Sequence, residues 1–222
     1  MIVIHLVGDG PRDEATVPPL VASILDCRVE LAPIKRERES EHSRYWTNIH
    51  IRSGGYARKL ELAIRIAIDS KASGLVAVVD RDKESSGDRR KKLMEGRERH
   101  RSKNAPFPIA LGEADPHFEA WLLDDPAGVR RALGLPGEID VVNVMKSPYP
   151  KDDLDQLIVK ASRTDTRISC LAQIAACVDV SRCNHAKQTG LHAFVNEVRT
   201  ELGPLVTTGE GGSPGPGQAR PS

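Results

Sequence analysis

The sequence predicts an α/β fold, in which a parallel sheet flanked by helices is followed by a mostly helical C-terminal region. Up to about residue 125, short apolar runs rich in β-branched residues alternate with amphipathic segments. That alternation is the order of a parallel sheet with right-handed crossovers. Beyond it, helical spacing of apolar residues dominates. The length of 222 residues suits one domain with a small appendage.

The predicted sheet has four strands, each a short apolar run. They are residues 2–7, 27–34, 75–79 and 107–111. The third (LVAVV) has the clearest pattern and is typical of a strand buried on both faces. One further candidate strand, residues 140–145, lies within the helical region.

The predicted helices follow the 3.6-residue period of an amphipathic helix. The first covers residues 14–25, with Pro18 and Pro19 either in its first turn or delaying its start. A basic helix follows the third strand and ends near Lys103. The other predicted helices cover residues 56–70, 117–123, 125–133, 151–161, 166–178 and 190–202.

These patterns divide the chain into three parts. Residues 1–125 are expected to form an α/β core, and residues 126–202 a helical region packed on it. Residues 203–222 hold six Gly and four Pro without any periodicity. They are therefore expected to form a disordered tail.

The amino-acid composition excludes some classes of function. Because 32 Lys and Arg face 31 Asp and Glu, a globally basic nucleic-acid coat is excluded. Four irregularly spaced cysteines indicate a reducing compartment. The N-terminal apolar run ends at Gly8 and is too short for a signal peptide or a membrane span. We therefore expect a cytoplasmic domain of enzyme size that makes no contact with a membrane.

Acidic side chains follow three of the predicted strands. Asp9 follows the first strand, Asp80 and Asp82 the third, and Glu113 the fourth. The carboxyl ends of parallel strands meet at one edge of a sheet, so we expect these carboxylates to converge. Such a cluster requires raised pKa values or a bound cation, and oxygen ligands favour Mg²⁺ or Mn²⁺. Each acid taken alone also fits a helix cap or a turn.

Three short stretches resemble a known family. Residues 9–14 (DGPRDE) resemble the opening motif of TOPRIM domains, the topoisomerase–primase fold, and residues 78–82 (VVDRD) look like their Asp-x-Asp motif. Residues 118–123 (FEAWLL) resemble a signature of small bacterial TOPRIM-like proteins related to the overcoming-lysogenization-defect (OLD) nucleases. A Pro-Lys pair at 150–151 also fits that group. One position departs from the family, because Asp9 stands where Glu is usual.

The resemblance implies a Mg²⁺- or Mn²⁺-dependent nuclease that hydrolyses phosphodiester bonds in DNA or RNA. Asp80 and Asp82 would hold the metal, Asp9 would ligate it or act as the base, and Glu113 would complete the ligand set. Glu119 could bind a second metal ion. The resemblance further implies the effector of a bacterial anti-phage defence system, with a separately encoded ATPase as its partner. A homo-oligomer is compatible with these patterns.

Basic residues are expected to contact the substrate. Lys151 would neutralise the phosphate in the transition state. Residues 89–103 hold eight Lys and Arg against two Glu, whereas residues 113–125 hold five acids and no base. A basic helix beside an acidic pocket suits a bound polyanion. The candidate nucleic-acid-binding residues are Arg52, Arg58, Arg89, Arg90, Lys91 and Lys92.

Other functions stay open at the level of sequence. The chain could be a non-catalytic TOPRIM-fold module that binds nucleic acid or a protein partner, an interpretation that Asp9 in place of Glu favours. A phosphoacceptor domain would need a lone acceptor Asp and a later strand-end Lys, and neither is evident. The sequence contains no Walker loop and no Gly-x-Gly-x-x-Gly motif, so nucleotide hydrolysis and dinucleotide binding have no support.

Overall fold

The computed structural model describes residues 3–26, 30–33, 55–81, 88–137, 139–161 and 164–209. Its centre is a small open sheet of parallel strands in the order β2-β1-β3-β4. The strands are β1 (Val3–Val7), β2 (Glu30–Pro33), β3 (Gly74–Asp80) and β4 (Ile109–Ala114). The predicted α/β class is confirmed.

Helices surround the sheet and form the C-terminal region. Those in the described ranges are α1 (Pro11–Leu25), α2 (Gly55–Asp69), α3 (Asp88–Arg101), α4 (Glu119–Leu123), α5 (Pro126–Leu133), α6 (Pro150–Lys160), α7 (Arg167–Cys177) and α8 (Leu191–Gly209). Short 3₁₀ helices cover Val144–Lys146 and Val180–Arg182. None of the helices that the structure describes is both long and apolar enough to cross a membrane.

In helix α1 and at residues 140–145 the structure differs from the sequence prediction. Helix α1 begins at Pro11 and keeps Pro18 and Pro19 in its interior, although each lacks an N–H for the helical ladder. Burial of Val17 and Leu20 on the same helix offsets that loss. The candidate strand at 140–145 is wrong: this segment lies outside the sheet and ends in a 3₁₀ turn.

The sheet is buried on both faces, and each face has its own core. Side chains of Ile4 and Val76 pack with α1 and the C-terminal helices, whereas Leu75 and Leu111 pack with α2 and α3. This division follows from the alternation of side chains along each strand. The C-terminal helical region therefore shares one continuous core with the sheet and is packed directly on it.

An aromatic cluster joins α4 to α8 in the first of these cores. The ring of Trp121 stacks on Phe194 with centroids 4.9 Å apart, and Phe118 meets Trp121 edge-on at 5.1 Å. The indole Nε1–H of Trp121 donates to the carbonyl of Thr189 at 2.6 Å. The residues that resemble the family signature thus fix the position of α8.

Helix α8 lies along the outer edge of β4 and supplies acceptors to it. The carboxylates of Glu201 and Glu197 accept the backbone N–H groups of Ile109 and Leu111, each at 3.4 Å. The helix continues to Gly209, so residues 203–209 of the expected disordered tail are helical, and Leu205 packs against the core. Residues 210–222 lie outside the described ranges.

Helices α2 and α3 cross at a glycine. A Cβ at Gly96 would lie 2.5 Å from the backbone oxygen of Ala57, closer than any side chain allows. Alanine in place of a helical glycine normally stabilises a helix by up to about 1 kcal/mol. At this crossing the added methyl group must instead push the two helices apart.

We predict that Gly96→Ala lowers the free energy of unfolding by about 1–3 kcal/mol, because the crossing becomes overpacked. Urea unfolding followed by circular dichroism measures the change. Gly137→Ala is the control, since a Cβ there meets nothing within 4 Å and should leave stability unchanged or slightly higher. Equal effects of the two substitutions would contradict the close crossing.

Candidate functional site

A pocket of about 580 Å³ opens at the carboxyl ends of β1 and β3. Open α/β sheets commonly bind ligands at this edge. Seven of the residues that line the pocket carry charged or titratable side chains. They are Asp9, Arg12, Asp13, Asp80, His117, Glu119 and Lys151.

The loop between β1 and α1 is built around the carboxylate of Asp13. Oδ2 of Asp13 accepts the backbone N–H groups of Asp9 at 2.6 Å and Gly10 at 3.1 Å. These donors precede the helix and have no helical acceptor of their own. Gly8 provides the necessary space, because a Cβ there would lie 2.7 Å from the Cβ of Asp13. The loop conformation thus depends on one buried acid and one missing side chain.

Negative charge accumulates in this part of the pocket. The pKa of Asp13 is raised to about 7, first by burial and then by the charges of Asp80 and Asp9, whereas the N–H donors of Asp9 and Gly10 lower it. Asp13 is only 6% exposed. Its carboxyl group therefore takes up a proton near neutral pH, which relieves repulsion among the three acids.

Asp9 and Asp80 follow neighbouring strands and meet in the pocket. Oδ2 of Asp9 accepts the backbone N–H of Asp80 at 2.9 Å, and Oδ1 of Asp80 accepts the backbone N–H of Phe118 at 2.9 Å. Nδ1 of His117 lies 3.4 Å from Oδ2 of Asp80. Backbone donors therefore hold both carboxylates in place.

Arg12 connects three helices below the pocket. Its guanidinium donates to Glu119 of α4 at 2.7 Å and to both carboxylate oxygens of Asp155 of α6 at 2.7 and 2.8 Å. Burial lowers the pKa of Arg12, but the hydrogen bonds and charges of its two partners raise it by more. Arg12 therefore stays charged and compensates the buried carboxylate of Glu119.

Lys151 enters the pocket from the second position of α6. It makes no ion pair or hydrogen bond with any residue that the structure describes, in contrast to Arg12. Its ammonium group is therefore available to an anion bound in the pocket.

Glu113 lies apart from this group. In the register of β3 and β4, Asp80 pairs with Ala114, and Glu113 shares its face with Leu111 of the α2–α3 core. Glu113 does not line the pocket, and its buried Oε1 has no hydrogen-bond partner within the described ranges. The predicted site residues Asp82 and Arg52 lie outside those ranges.

Several acids of the 113–125 segment have structural partners instead. Asp115 pairs with Arg81 at 2.8 Å on the surface. Asp124 and Asp125 are buried and accept backbone N–H groups from the segment before α8 and from the start of α5. Burial raises the pKa of Asp124, which the hydrogen bond from the backbone of His185 partly offsets. These acids hold loops together rather than lining the pocket.

Helix α3 carries basic residues at both ends, and four of them follow one another in its first turn. Arg89, at this end, donates to the backbone carbonyl of Asp80 at 3.0 Å, which joins the basic turn to the acidic pocket. The other predicted contacts there are Arg90, Lys91 and Lys92. The later arginines form ion pairs within the protein: Arg97 with Glu197, Arg99 with Glu61 and Glu95, and Arg101 with Glu201 and Glu98.

The N-terminal part of α2 lies beside this basic turn. Lys59 and Arg89 both lie over the ring of Tyr56, at 5.5 and 5.3 Å from its centroid. Arg58 is 59% exposed in its side chain and pairs with Glu61 at 3.0 Å. Arg58, one of the predicted nucleic-acid-binding residues, therefore has its charge partly compensated by Glu61.

The donor chemistry of the pocket suits a hard divalent cation. Asp9 and Asp80 present carboxylate oxygens, the ligand type that Mg²⁺ prefers. The pKa of Asp13 is raised mainly by burial and to a smaller extent by the charges of Asp80 and Asp9. Across the described ranges, no group of three or more His, Cys, Asp or Glu side chains is arranged to hold a metal ion. Of the predicted metal ligands, Asp9, Asp80 and Glu119 line the pocket, and Glu119 is paired there with Arg12.

Comparison with protein-family models, curated proteins and solved structures finds no match to this chain. The resemblance to TOPRIM domains therefore stays a prediction. Function has to be argued from the chemistry of the pocket, because a fold class alone hosts many activities.

The sequence prediction gave no role to several residues that shape the pocket. Asp13 occupies the third position of α1, where an acid commonly accepts hydrogen bonds from the backbone before the helix. This position in the sequence could have indicated its role. The pairing of Arg12 with Asp155 spans 143 positions and has no local signal. His117 is placed by the loop before α4, whose conformation the sequence pattern does not specify.

We predict that the free energy of unfolding falls as the pH rises from about 4 to about 7. Because the pKa of Asp13 is raised to about 7, the folded protein binds a proton in this range that the unfolded chain releases. The loss amounts to about 4 kcal/mol at most, at 1.36 kcal/mol per pKa unit.

Asp13→Asn should remove this dependence, since the amide oxygen can still accept both N–H groups but carries no charge. Urea unfolding at a series of pH values compares the two proteins. A variant whose stability falls with pH as steeply as that of the natural protein would contradict the assignment to Asp13.

Proposed function

We propose that this chain is a divalent-metal-dependent nuclease that hydrolyses phosphodiester bonds of nucleic acid. The observation that carries the proposal is the meeting of Asp9 and Asp80 in one pocket with Lys151, whose ammonium is unpaired among the residues that the structure describes. Paired carboxylates recruit a cation, and a neighbouring lysine binds the anionic substrate.

In this proposal Asp9 and Asp80 would hold Mg²⁺ or Mn²⁺, with Asp82 as a further ligand. When bound, the metal stabilises negative charge on the phosphate oxygens and lowers the pKa of a bound water. The residues of the chain position the reactants. Backbone N–H groups fix the two carboxylates, and Lys151 neutralises the phosphate.

Glu119 and Glu113 have weaker support as ligands. Glu119 lines the pocket, but its carboxylate is paired with Arg12 at 2.7 Å, so a second metal would have to compete with that ion pair. Glu113 belongs to the other face of β4. Both residues keep their predicted roles in the proposal only through the family resemblance.

The nucleic-acid substrate is supported by the basic turn that adjoins the pocket. Arg89 contacts the backbone of Asp80, so the cations of the first turn of α3 begin where the acidic residues end. Phosphates bound along this turn would place a neighbouring diester in the pocket. DNA and RNA fit this arrangement equally.

The biological setting is proposed from the family resemblance. We propose that the protein acts in the bacterial cytoplasm as the effector of an anti-phage defence system, with a separately encoded ATPase and as a possible homo-oligomer. Neither an ATP-binding motif nor a membrane segment is needed for such a role.

A second candidate function is a non-catalytic module that binds nucleic acid or a protein partner. It is favoured by the absence, within the described ranges, of a three-ligand group for a metal. It is also favoured by Asp9, whose side chain is one methylene shorter than the glutamate usual in the family. The two functions differ in whether metal binding accompanies nucleic-acid binding.

We predict that Asp80→Asn leaves the metal-free protein as stable as before or more stable, because it removes one of three crowded charges and keeps the acceptor for Phe118. The same change should remove stabilisation by Mn²⁺, which reaches about 2.7 kcal/mol at 100 times Kd. Cleavage of plasmid, single strands and tRNA should fall about 100-fold or more.

Thermal melts and cleavage assays with Mg²⁺, Mn²⁺ or EDTA make this measurement. Asp115→Asn is the matched control, because it removes an acid at the end of the next strand that pairs with Arg81 outside the pocket. It should keep both metal stabilisation and cleavage. If the natural protein shows no shift with Mn²⁺ even in the presence of nucleic acid, the nuclease proposal fails and the binding module replaces it.

A further inference from the structure

Helices α3 and α8 run parallel and are joined by a ladder of ion pairs. Arg97 pairs with Glu197, and one turn further along both helices Arg101 pairs with Glu201 at 2.7 Å. The same carboxylates also accept N–H groups from the edge of β4. Their negative charges are therefore fully used within the protein.

The ladder ends one turn before Glu197, where α8 carries Ala193 and not an acid. Arg90, two turns before Arg97 on α3, lines the same groove, but α8 presents Ala193 and His192 at this level. Arg90 makes no hydrogen bond or ion pair with any residue that the structure describes. A half-buried guanidinium without a carboxylate is an incomplete ion pair, and an external anion can complete it.

The groove around Arg90 also offers polar side chains of α8. His192, Asn196 and Thr200 follow one another at four-residue spacing on α8 and line a cavity of about 350 Å³ between the two helices. Small Ala193 leaves this cavity open. With both glutamates of the groove already paired, the remaining formal charge is that of Arg90.

We propose that the α3–α8 groove is a binding site for the phosphodiester backbone of single-stranded nucleic acid. The site rests on the proposed nucleic-acid substrate but does not depend on hydrolysis. It lies next to the acidic pocket along the chain, because Arg89, the neighbour of Arg90, contacts the backbone of Asp80. A strand crossing the end of the sheet would therefore occupy both.

The geometry favours a single strand over a duplex. Arginine and glutamate side chains bridge the two helices, and the cavity of about 350 Å³ between them has room for one nucleic-acid backbone. A duplex could touch only the rim with its phosphates. The groove has no Phe, Tyr or Trp among its lining residues, so we expect it to contact mainly phosphate and sugar and to carry little sequence preference.

Fluorescence anisotropy in EDTA tests this site without cleavage. The probes are labelled oligothymidylate and oligouridylate of about 20 nucleotides, longer than common single-strand sites, and a duplex of the same length. We expect Arg90→Gln to weaken single-strand binding several-fold. The slope of log affinity against log salt should become shallower by about 0.7, the value for one lost phosphate contact on a single strand.

Two pairs of matched variants isolate the groove. Arg199→Gln removes a charge from an exposed position of α8 outside the groove and should change neither affinity nor slope. Ala193→Glu supplies the missing acid of the ladder and should weaken binding as much as Arg90→Gln does, whereas Ala193→Gln, of the same shape, should weaken it much less.

Equal effects of Arg90→Gln and Arg199→Gln, or tighter binding of the duplex than of the single strands, would overturn the groove proposal. Because these measurements need no metal, their outcome is independent of the Asp80→Asn experiment. A protein that binds single strands through the groove but never cleaves them would keep this site and lose the nuclease proposal.

Discussion

The repulsion among three aspartates at one end of the sheet is the main physical constraint on this structure. Asp9, Asp13 and Asp80 meet there because parallel strands end at the same edge. Backbone N–H groups hold each carboxylate, and protonation of Asp13 near neutral pH removes part of the charge. Backbone donors and this proton therefore compensate part of the charge, and Arg12 and Lys151 place positive charge in the same pocket.

The sequence pattern anticipates this edge well for β1 and β3. The run of apolar residues in β3 predicts a buried strand. Because Asp80 follows this run directly, its position at the carboxyl end of the strand is predicted as well. It anticipates Glu113 less well, because a one-residue shift along a strand moves a side chain to the other face. Only the register with β3 shows that Glu113 belongs to the α2–α3 side.

Charge patterns along the chain prove to be a poor guide to the free charge on the surface. The excess of Lys and Arg in residues 89–103 predicts a basic helix, yet Arg97 and Arg101 are paired with glutamates a hundred positions away. Such partners have no local signature, since they depend on where α8 packs. The prolines inside α1 are likewise not explained by local sequence. Burial of the helix against the core outweighs the tendency of proline to interrupt a helix.

The carboxylates of α8 also determine whether a further strand can pair with the edge of this sheet. An uncovered outer strand is a template on which another polypeptide can add a strand, and native proteins block such templates. Here Glu197 and Glu201 occupy the outward N–H groups of β4. Copies of this chain therefore cannot associate by joining β4 to β4 unless α8 first detaches, which protects the molecule from aggregating along that side.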